Sequence, residues 1–280
     1  MIKQLRNVSR TRAFRRLYTT ELPVLFEKRE LDGNSIAILS LNRPELRNAF
    51  NTETASLLVK YYAEIKLNPN YRAIILTGKG QCFCSGADLK ERNSLNSSQW
   101  REQHLIFQKM FKIGNIGIPT IAAVESFALA GGFELALNCD MIVCSENAKF
   151  GLPEASRGIM PGGNGTQLLS RLVGPARSKE IILTARQVDA REALNIGIAV
   201  RVVPNGQALR SSLELASGIS KNAPLSVKAI KASIDHGSGL SIEDARNCEL
   251  KYYDTLIDTE DRHEGIRAFN EKRSPRWSGK

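Results

Sequence analysis

The sequence is short of the groups on which most metal and hydrolase chemistry depends. It holds three histidines, His104, His236 and His263, none in a His-x-x-x-His spacing, so no zinc-hydrolase helix is encoded. Five cysteines form no Cys-x-x-Cys pair, and Cys82 and Cys84 are separated by one residue. That pattern excludes the usual structural-zinc and disulfide frameworks and leaves buried reduced thiols. There is no Gly-x-Ser-x-Gly elbow and no Walker A sequence, so a serine hydrolase lacks its nucleophile turn and a P-loop enzyme its phosphate cradle. No apolar run approaches the roughly 20 residues of a membrane helix; the stretch from Ile116 to Val124 is short and broken by Pro119.

Carboxylates are missing from the first twenty positions. MIKQLRNVSRTRAFRRLYTT carries Lys3, Arg6, Arg10, Arg12, Arg15 and Arg16 before the first acidic residue, Glu21. It has no continuous apolar core of the secretory kind, and an Arg-rich, acid-poor composition is that of an organelle transit peptide, expected over residues 1–20. Six units of the net charge of +10 belong to this segment, and the remaining +4 is too modest to argue for a polyanionic partner.

What remains is ordinary globular composition, 42% hydrophobic and 24% charged over 280 residues, sufficient for one substantial core. Alternating apolar runs predict strands at Val24–Glu30 and Ser35–Leu41 around an Asp32-Gly33 turn. Helical spacing follows over Thr52–Lys66, then a buried strand at Arg72–Thr77 and a glycine-containing loop to Asp88. A helix at Gln99–Phe111, a strand at Thr120–Val124, a helix from Gly131 to about Cys139 and a strand at Met141–Cys144 continue the alternation. From Gly162 onward helices dominate apart from Ala199–Val203, ending in helices over Ser241–Ile257 and Thr259–Lys272. The pattern is α/β with a helical tail, divided here into a catalytic core at 21–204 and a C-terminal helical region at 205–280.

Three segments can carry chemistry. In Leu129-Ala130-Gly131-Gly132-Phe133-Glu134, small residues open a helix whose free N–H groups and positive dipole end suit a developing oxyanion, with a carboxylate in the first turn. Gly151-Leu152-Pro153-Glu154 presents a second carboxylate in a proline-fixed loop, and Phe83–Leu89 offers another backbone N–H, at Ala87. Singly, Glu134 reads equally well as a helix-dipole partner, Glu154 as a solvated loop residue and Asp88 as a helix cap. The cluster Pro161-Gly162-Gly163-Asn164-Gly165 does not fit a dinucleotide fingerprint, since Leu168 stands where the third glycine belongs, and reads as a tight turn into a helix.

Together, Phe83-Cys84-Ser85-Gly86-Ala87-Asp88-Leu89-Lys90-Glu91, Ala130-Gly131-Gly132-Phe133-Glu134-Leu135-Ala136, Leu152-Pro153-Glu154 and Pro161–Gln167 resemble the crotonase (enoyl-CoA hydratase/isomerase) superfamily in order and spacing. Arg43-Pro44, Asn48-Ala49 and Ala268–Arg273 extend the resemblance from about Val24 to the C-terminus. It implies a spiral of ββα repeats with C-terminal helices that pack homotrimers or hexamers. It also implies an acyl-CoA substrate whose thioester oxygen sits between the N–H groups of Ala87 and Gly131, with Glu134 and Glu154 as catalytic residues adding water across the 2,3-double bond. CoA contacts carry over to Leu46, Arg47, Asp88 and Leu89, with Phe269 and Lys272 reaching in from a neighbouring subunit. Ala130 departs from the family, where many members have another glycine. No metal or redox cofactor is implied, coenzyme A being part of the substrate. Gly86–Arg92 and Asp261-Arg262-His263-Glu264-Gly265 are most similar to the methylglutaconyl-CoA hydratase subgroup of mitochondrial leucine breakdown. The alternatives are an enoyl-CoA isomerase, whose members often keep one of the two glutamates, and an RNA-binding homologue. Against the last, the helix Thr52–Lys66 carries only Lys60 and Lys66 among its basic residues, too few to track phosphates.

Overall fold

The computed structural model describes residues 22–31 and 33–280. The expected transit segment and Asp32 of the first turn lie outside them. Strands β1 (Val24–Leu31) and β2 (Asn34–Leu41) form the expected hairpin, with Leu31 opposite Asn34 and Gly33 at φ 78°, a backbone state that glycine adopts without strain. β1 carries Glu27, Lys28, Arg29 and Glu30 on an edge of the sheet, where charge discourages pairing with another chain.

Inward from that edge the sheet is parallel. β2 pairs with β3 (Tyr71–Gly78), β3 with β4 (Thr120–Val124), β4 with β6 (Met141–Ser145) and β6 with β9 (Arg201–Val203). Parallel strands need helices on both faces, and the side-chain period of two divides the apolar residues between two cores. Leu39, Leu76, Ala122 and Cys144 face one. Ile38, Ile75, Ala123 and Val143 face the other, packed with Ala208 and Ala216. The last two belong to α8 (Ala208–Ser220), which lies against β3, β4 and β6. A boundary at residue 204 therefore cuts through one packed unit: α8 closes the second face of the sheet, and the helices beyond it stand outside.

Beyond α8, α9 (Pro224–Gly237) pairs with α10 (Ile242–Asp254). α9 is fastened by Lys231, which pairs with Asp140 and Asp235, while Asp140 also accepts the Thr120 N–H at 2.7 Å. α11 (Glu260–Asn270) holds the end of the chain. Buried Asp261 accepts the N–H groups of Ser278 at 2.7 Å and Gly279 at 3.1 Å, and Glu264 accepts Arg273 and the Arg276 N–H. The Asp261–Gly265 motif thus fixes the C-terminal segment: its glycine lies under Trp277, where a Cβ would come within 3.2 Å of the ring.

A second, small sheet was not visible in the sequence pattern. It is made of β5 (Phe127–Leu129), β7 (Lys149–Gly151) and β8 (Val188–Asp189). Elements of two or three residues are shorter than any periodicity can mark. Their position is nevertheless decisive, because β5 leads into α4 (Gly131–Leu137) and β7 into the 3-10 turn Pro153–Arg157.

Candidate active site

Both carboxylates are buried, and they face one cavity. Glu134 is 3% exposed and Glu154 5%, and both line a cavity of about 350 Å³ together with Ala87 and Gly131. Reading Glu154 as a solvated loop residue is thereby excluded; the proline that opens its 3-10 turn and the pairing of β7 with β5 turn it inward.

The two acids have different surroundings. Glu134 Oε1 accepts the N–H of Gly163 at 2.6 Å and of Gly165 at 2.9 Å, so the glycine cluster that reads as a simple turn is an anion cradle at the start of α5 (Gly165–Val173). A Cβ on Gly165 would stand 2.9 Å from that same oxygen, and one on Gly163 2.4 Å from the Phe111 ring. Burial raises the Glu134 pKa, opposed by the N–H groups of Gly165, Gly163 and Gly162 and by the Arg92 charge. Glu154 has no such cradle. Its Oε2 has no hydrogen-bond partner among the described residues, and burial, aided by the neighbouring Glu134 charge, pushes its pKa up to about 7. Glu134 is therefore suited to hold the negative charge and Glu154 the proton.

Next to them stand two backbone donors. Phe50 and Ala87 form a parallel bridge in which the Phe50 N–H donates to Gly86 O at 2.9 Å and the Asp88 N–H to Phe50 O at 2.8 Å. This pairing directs the Ala87 N–H away from Phe50. Gly131 is the first residue of α4, where an N–H has no acceptor within the helix. A Cβ built on Gly131 would lie 3.7 Å from Ala87 N, and one on Gly86 3.3 Å from Gly131 N, so the two donors share a small space that only glycines leave open.

The loop carrying Ala87 is pinned by residues that matter here for position. Asn48 Nδ2 donates to Lys79 O at 2.9 Å and Cys82 O at 2.8 Å. Arg43 donates to Ala49 O at 2.6 Å and to Asp88 Oδ2 at 2.9 Å. The Arg43-Pro44 and Asn48-Ala49 pairs thus act on the loop from a separate stretch of chain. Asp88 also caps α2 (Leu89–Ser94) through the N–H groups of Lys90 and Glu91, as its position after small residues suggests.

Ala130, just before the oxyanion residue, adopts φ 51° and ψ −131°. A non-glycine residue there is strained by ~1–3 kcal/mol, partly offset in the unfolded chain. Ala130→Gly is expected to raise stability by about 1 kcal/mol, seen as a higher urea midpoint at constant slope. A lower midpoint would mean that packing of the Ala130 methyl outweighs the strain.

Residues 32–280 match the family model for enoyl-CoA hydratase/isomerase. The chain belongs to the enoyl-CoA hydratase/isomerase family. It is 40% identical over 264 residues to probable enoyl-CoA hydratase 2, mitochondrial, of Arabidopsis thaliana, covering 93% of this chain and 88% of that one. It is 39% identical over 240 residues to the short-chain-enoyl-CoA hydratase of Clostridium acetobutylicum, covering 85% and 92% respectively. The crystal structure of enoyl-CoA hydratase from Bacillus anthracis superimposes with a TM-score of 0.88 at 35% identity, over 92% of this chain and all of that one. The fold is accordingly that of the crotonase superfamily, as the sequence motifs imply.

Among the residues expected to meet CoA, Leu46, Asp88 and Leu89 line the cavity of this family member. Arg47 does not; its carbonyl accepts the Ser85 N–H at 3.1 Å and so supports the oxyanion loop. Phe269, 84% exposed at the end of α11, and Lys272 just beyond it lie outside this cavity within one chain. Among the described residues no helix is long and apolar enough to cross a membrane.

Proposed function

We propose that this protein is a 2-enoyl-CoA hydratase whose physiological substrate is 3-methylglutaconyl-CoA. The observation that carries the reading is the pair of buried carboxylates, Glu134 held by two backbone N–H groups and Glu154 without a partner for its Oε2 among the described residues, beside two converging N–H groups. The thioester oxygen is taken by Ala87 and Gly131, which stabilise the enolate as it forms. Glu134 accepts a proton from water while its oxygen bonds to C3, and Glu154 delivers a proton to C2. The proton gained at Glu134 and lost at Glu154 re-equilibrates between them before the next turnover. Water is activated by the carboxylate, so the scheme requires no metal or redox cofactor. An isomerase moving a double bond needs one proton shuttle; two acids favour hydration. The substrate assignment rests on the Gly86–Arg92 and Asp261–Gly265 similarities.

Product chromatography tests this directly. Crotonyl-CoA and 3-methylglutaconyl-CoA should both yield 3-hydroxyacyl-CoA, the latter with the higher kcat/KM; conversion of 3-enoyl- to 2-enoyl-CoA without hydration would favour the isomerase. A pH profile follows from the same geometry. Hydration requires the proton on Glu154, so kcat/KM should fall as pH rises through the region near 7 to which burial brings that acid, and fall again on the acid side as Glu134 is protonated. The two limbs belong to the coupled pair. A rate flat from neutral to alkaline pH would remove Glu154 as the proton donor.

The Leu46, Arg47, Asp88 and Leu89 stretches are assigned to CoA, with Phe269 and Lys272 completing the site of a neighbouring subunit in a trimer or hexamer. The mitochondrial matrix is the proposed location, supported by the Arg-rich leader and by the mitochondrial designation of the Arabidopsis relative.

A further inference from the structure

The cavity holds a cation that neither binds the thioester oxygen nor carries a proton in the hydration scheme, acting there only through its charge on Glu134. Arg92, half-buried on α2, lines the cavity wall, and among the described residues no carboxylate pairs with it. The other lining cations, Lys90 and Arg157, are exposed and solvent can neutralise much of their field. Arg92 is built in. Its guanidinium lies 5.3 Å from the Trp100 ring centroid, and Trp100 stacks on His104 at 5.1 Å with the planes 6° apart. Trp100 and His104 belong to α3 (Ser97–Met110), which starts with a capping box on Asn96 and Gln99, so the shelf is carried by a well-anchored helix.

The shelf is also tied to the catalytic wall. Gln108 donates to Gly162 O at 2.6 Å and lies 3.4 Å from His104 Nε2. A Cβ on Gly162 would stand 3.8 Å from His104 Cε1, and the next residue, Gly163, holds Glu134. Arg92 and His104 thus stand on the Glu134 side of the cavity. A planar cation stacked on an aromatic face, with no carboxylate hydrogen-bonded to it among the described residues, is suited to bidentate capture of a carboxylate.

We propose that Arg92 is a specificity-determining residue that selects enoyl thioesters carrying a carboxylate at the far end of the acyl chain. The Trp100–His104 shelf holds the guanidinium in place, so that binding such a chain gives it a direct carboxylate contact. This deepens the substrate reading given above and rests on its placement of the acyl group between Glu134 and Glu154.

Binding of saturated analogues tests the selector without any turnover. Glutaryl-CoA and butyryl-CoA are titrated calorimetrically into the wild-type protein, Arg92→Gln and Arg92→Lys. The wild type should prefer glutaryl-CoA, and Arg92→Gln should erode that preference by about 10- to 100-fold, the loss expected for a charge-assisted hydrogen bond. Arg92→Lys should restore part of it. Effects on the shared CoA moiety cancel in the ratio. An unchanged ratio in Arg92→Gln overturns the proposal. So does equal weakening of both ligands, which would place Arg92 on the CoA phosphates. Failure of the wild type to hydrate any enoyl-CoA would instead strike the hydratase reading, and would leave the binding ratio to decide the role of Arg92.

Discussion

Glu134→Gln lowers kcat for crotonyl-CoA hydration by about 10²–10⁴-fold, and Glu154→Gln by a similar factor, each the usual weight of one general acid or base. The amide keeps shape and volume, so the loss reports proton transfer. For Glu134 the substitution also faces an amide toward the N–H groups of Gly163 and Gly165; its carbonyl can accept both, and the fold should survive. For Glu154 the unpartnered Oε2 becomes the site of change, and no internal hydrogen bond to that atom is lost. Because the two acids handle one water, the double variant should be little slower than the worse single one. Multiplicative losses would mean that the residues act in separate steps.

Gly131→Ala is the second large effect. The added methyl would lie 2.7 Å from Phe50 Cζ. That ring cannot swing away easily: it is 1% exposed and packed edge-on against Phe107 at 5.0 Å and Phe111 at 6.1 Å. The strain passes to the start of α4, which carries both the oxyanion N–H and, one turn on, Glu134. Removing one aligned donor of this kind typically lowers kcat by ~10²–10³-fold, and overpacking destabilises by ~1–3 kcal/mol. Stopped assays and urea midpoints on the same preparation separate the two. Gly218→Ala, in α8 with nothing within 4 Å of its added Cβ, is the control and should leave turnover intact. Near-normal kcat in Gly131→Ala would show that the donor pair tolerates displacement.

The strands and helices that build the scaffold were legible because their apolar spacing is long enough to carry a period. β2, for example, is buried throughout after its first residue, and α1 (Thr52–Leu67) buries Leu58, Tyr61, Tyr62 and Ile65 on one face. The catalytic residues were legible from motif order. What decides their chemistry was not. The burial of Glu154 depends on β7 pairing with β5, three-residue strands that no pattern announces. The charge on Glu134 depends on Gly163 and Gly165, about thirty positions away in sequence, and the oxyanion loop on Arg43 and Asn48. Each is a tertiary hydrogen bond between segments that are separately unremarkable. The glycine cluster, too irregular for a nucleotide fingerprint and read alone as a turn, pointed to the site only as one of the motifs whose order and spacing resemble the family. The seat of Arg92 on the Trp100 ring could not be inferred from sequence, since a basic residue in a polar helix is solvated far more often than stacked.

In the proposed reaction one water molecule is split between Glu134 and Glu154 across the 2,3-double bond of an acyl-CoA. Turnover of crotonyl-CoA in heavy-oxygen water, followed by mass spectrometry of the thioester, tests it most directly. The wild type should give 3-hydroxybutyryl-CoA carrying the label at C3, at a rate that collapses in Glu134→Gln and Glu154→Gln. Unlabelled product, no hydrated product, or a rate untouched by both substitutions would contradict it.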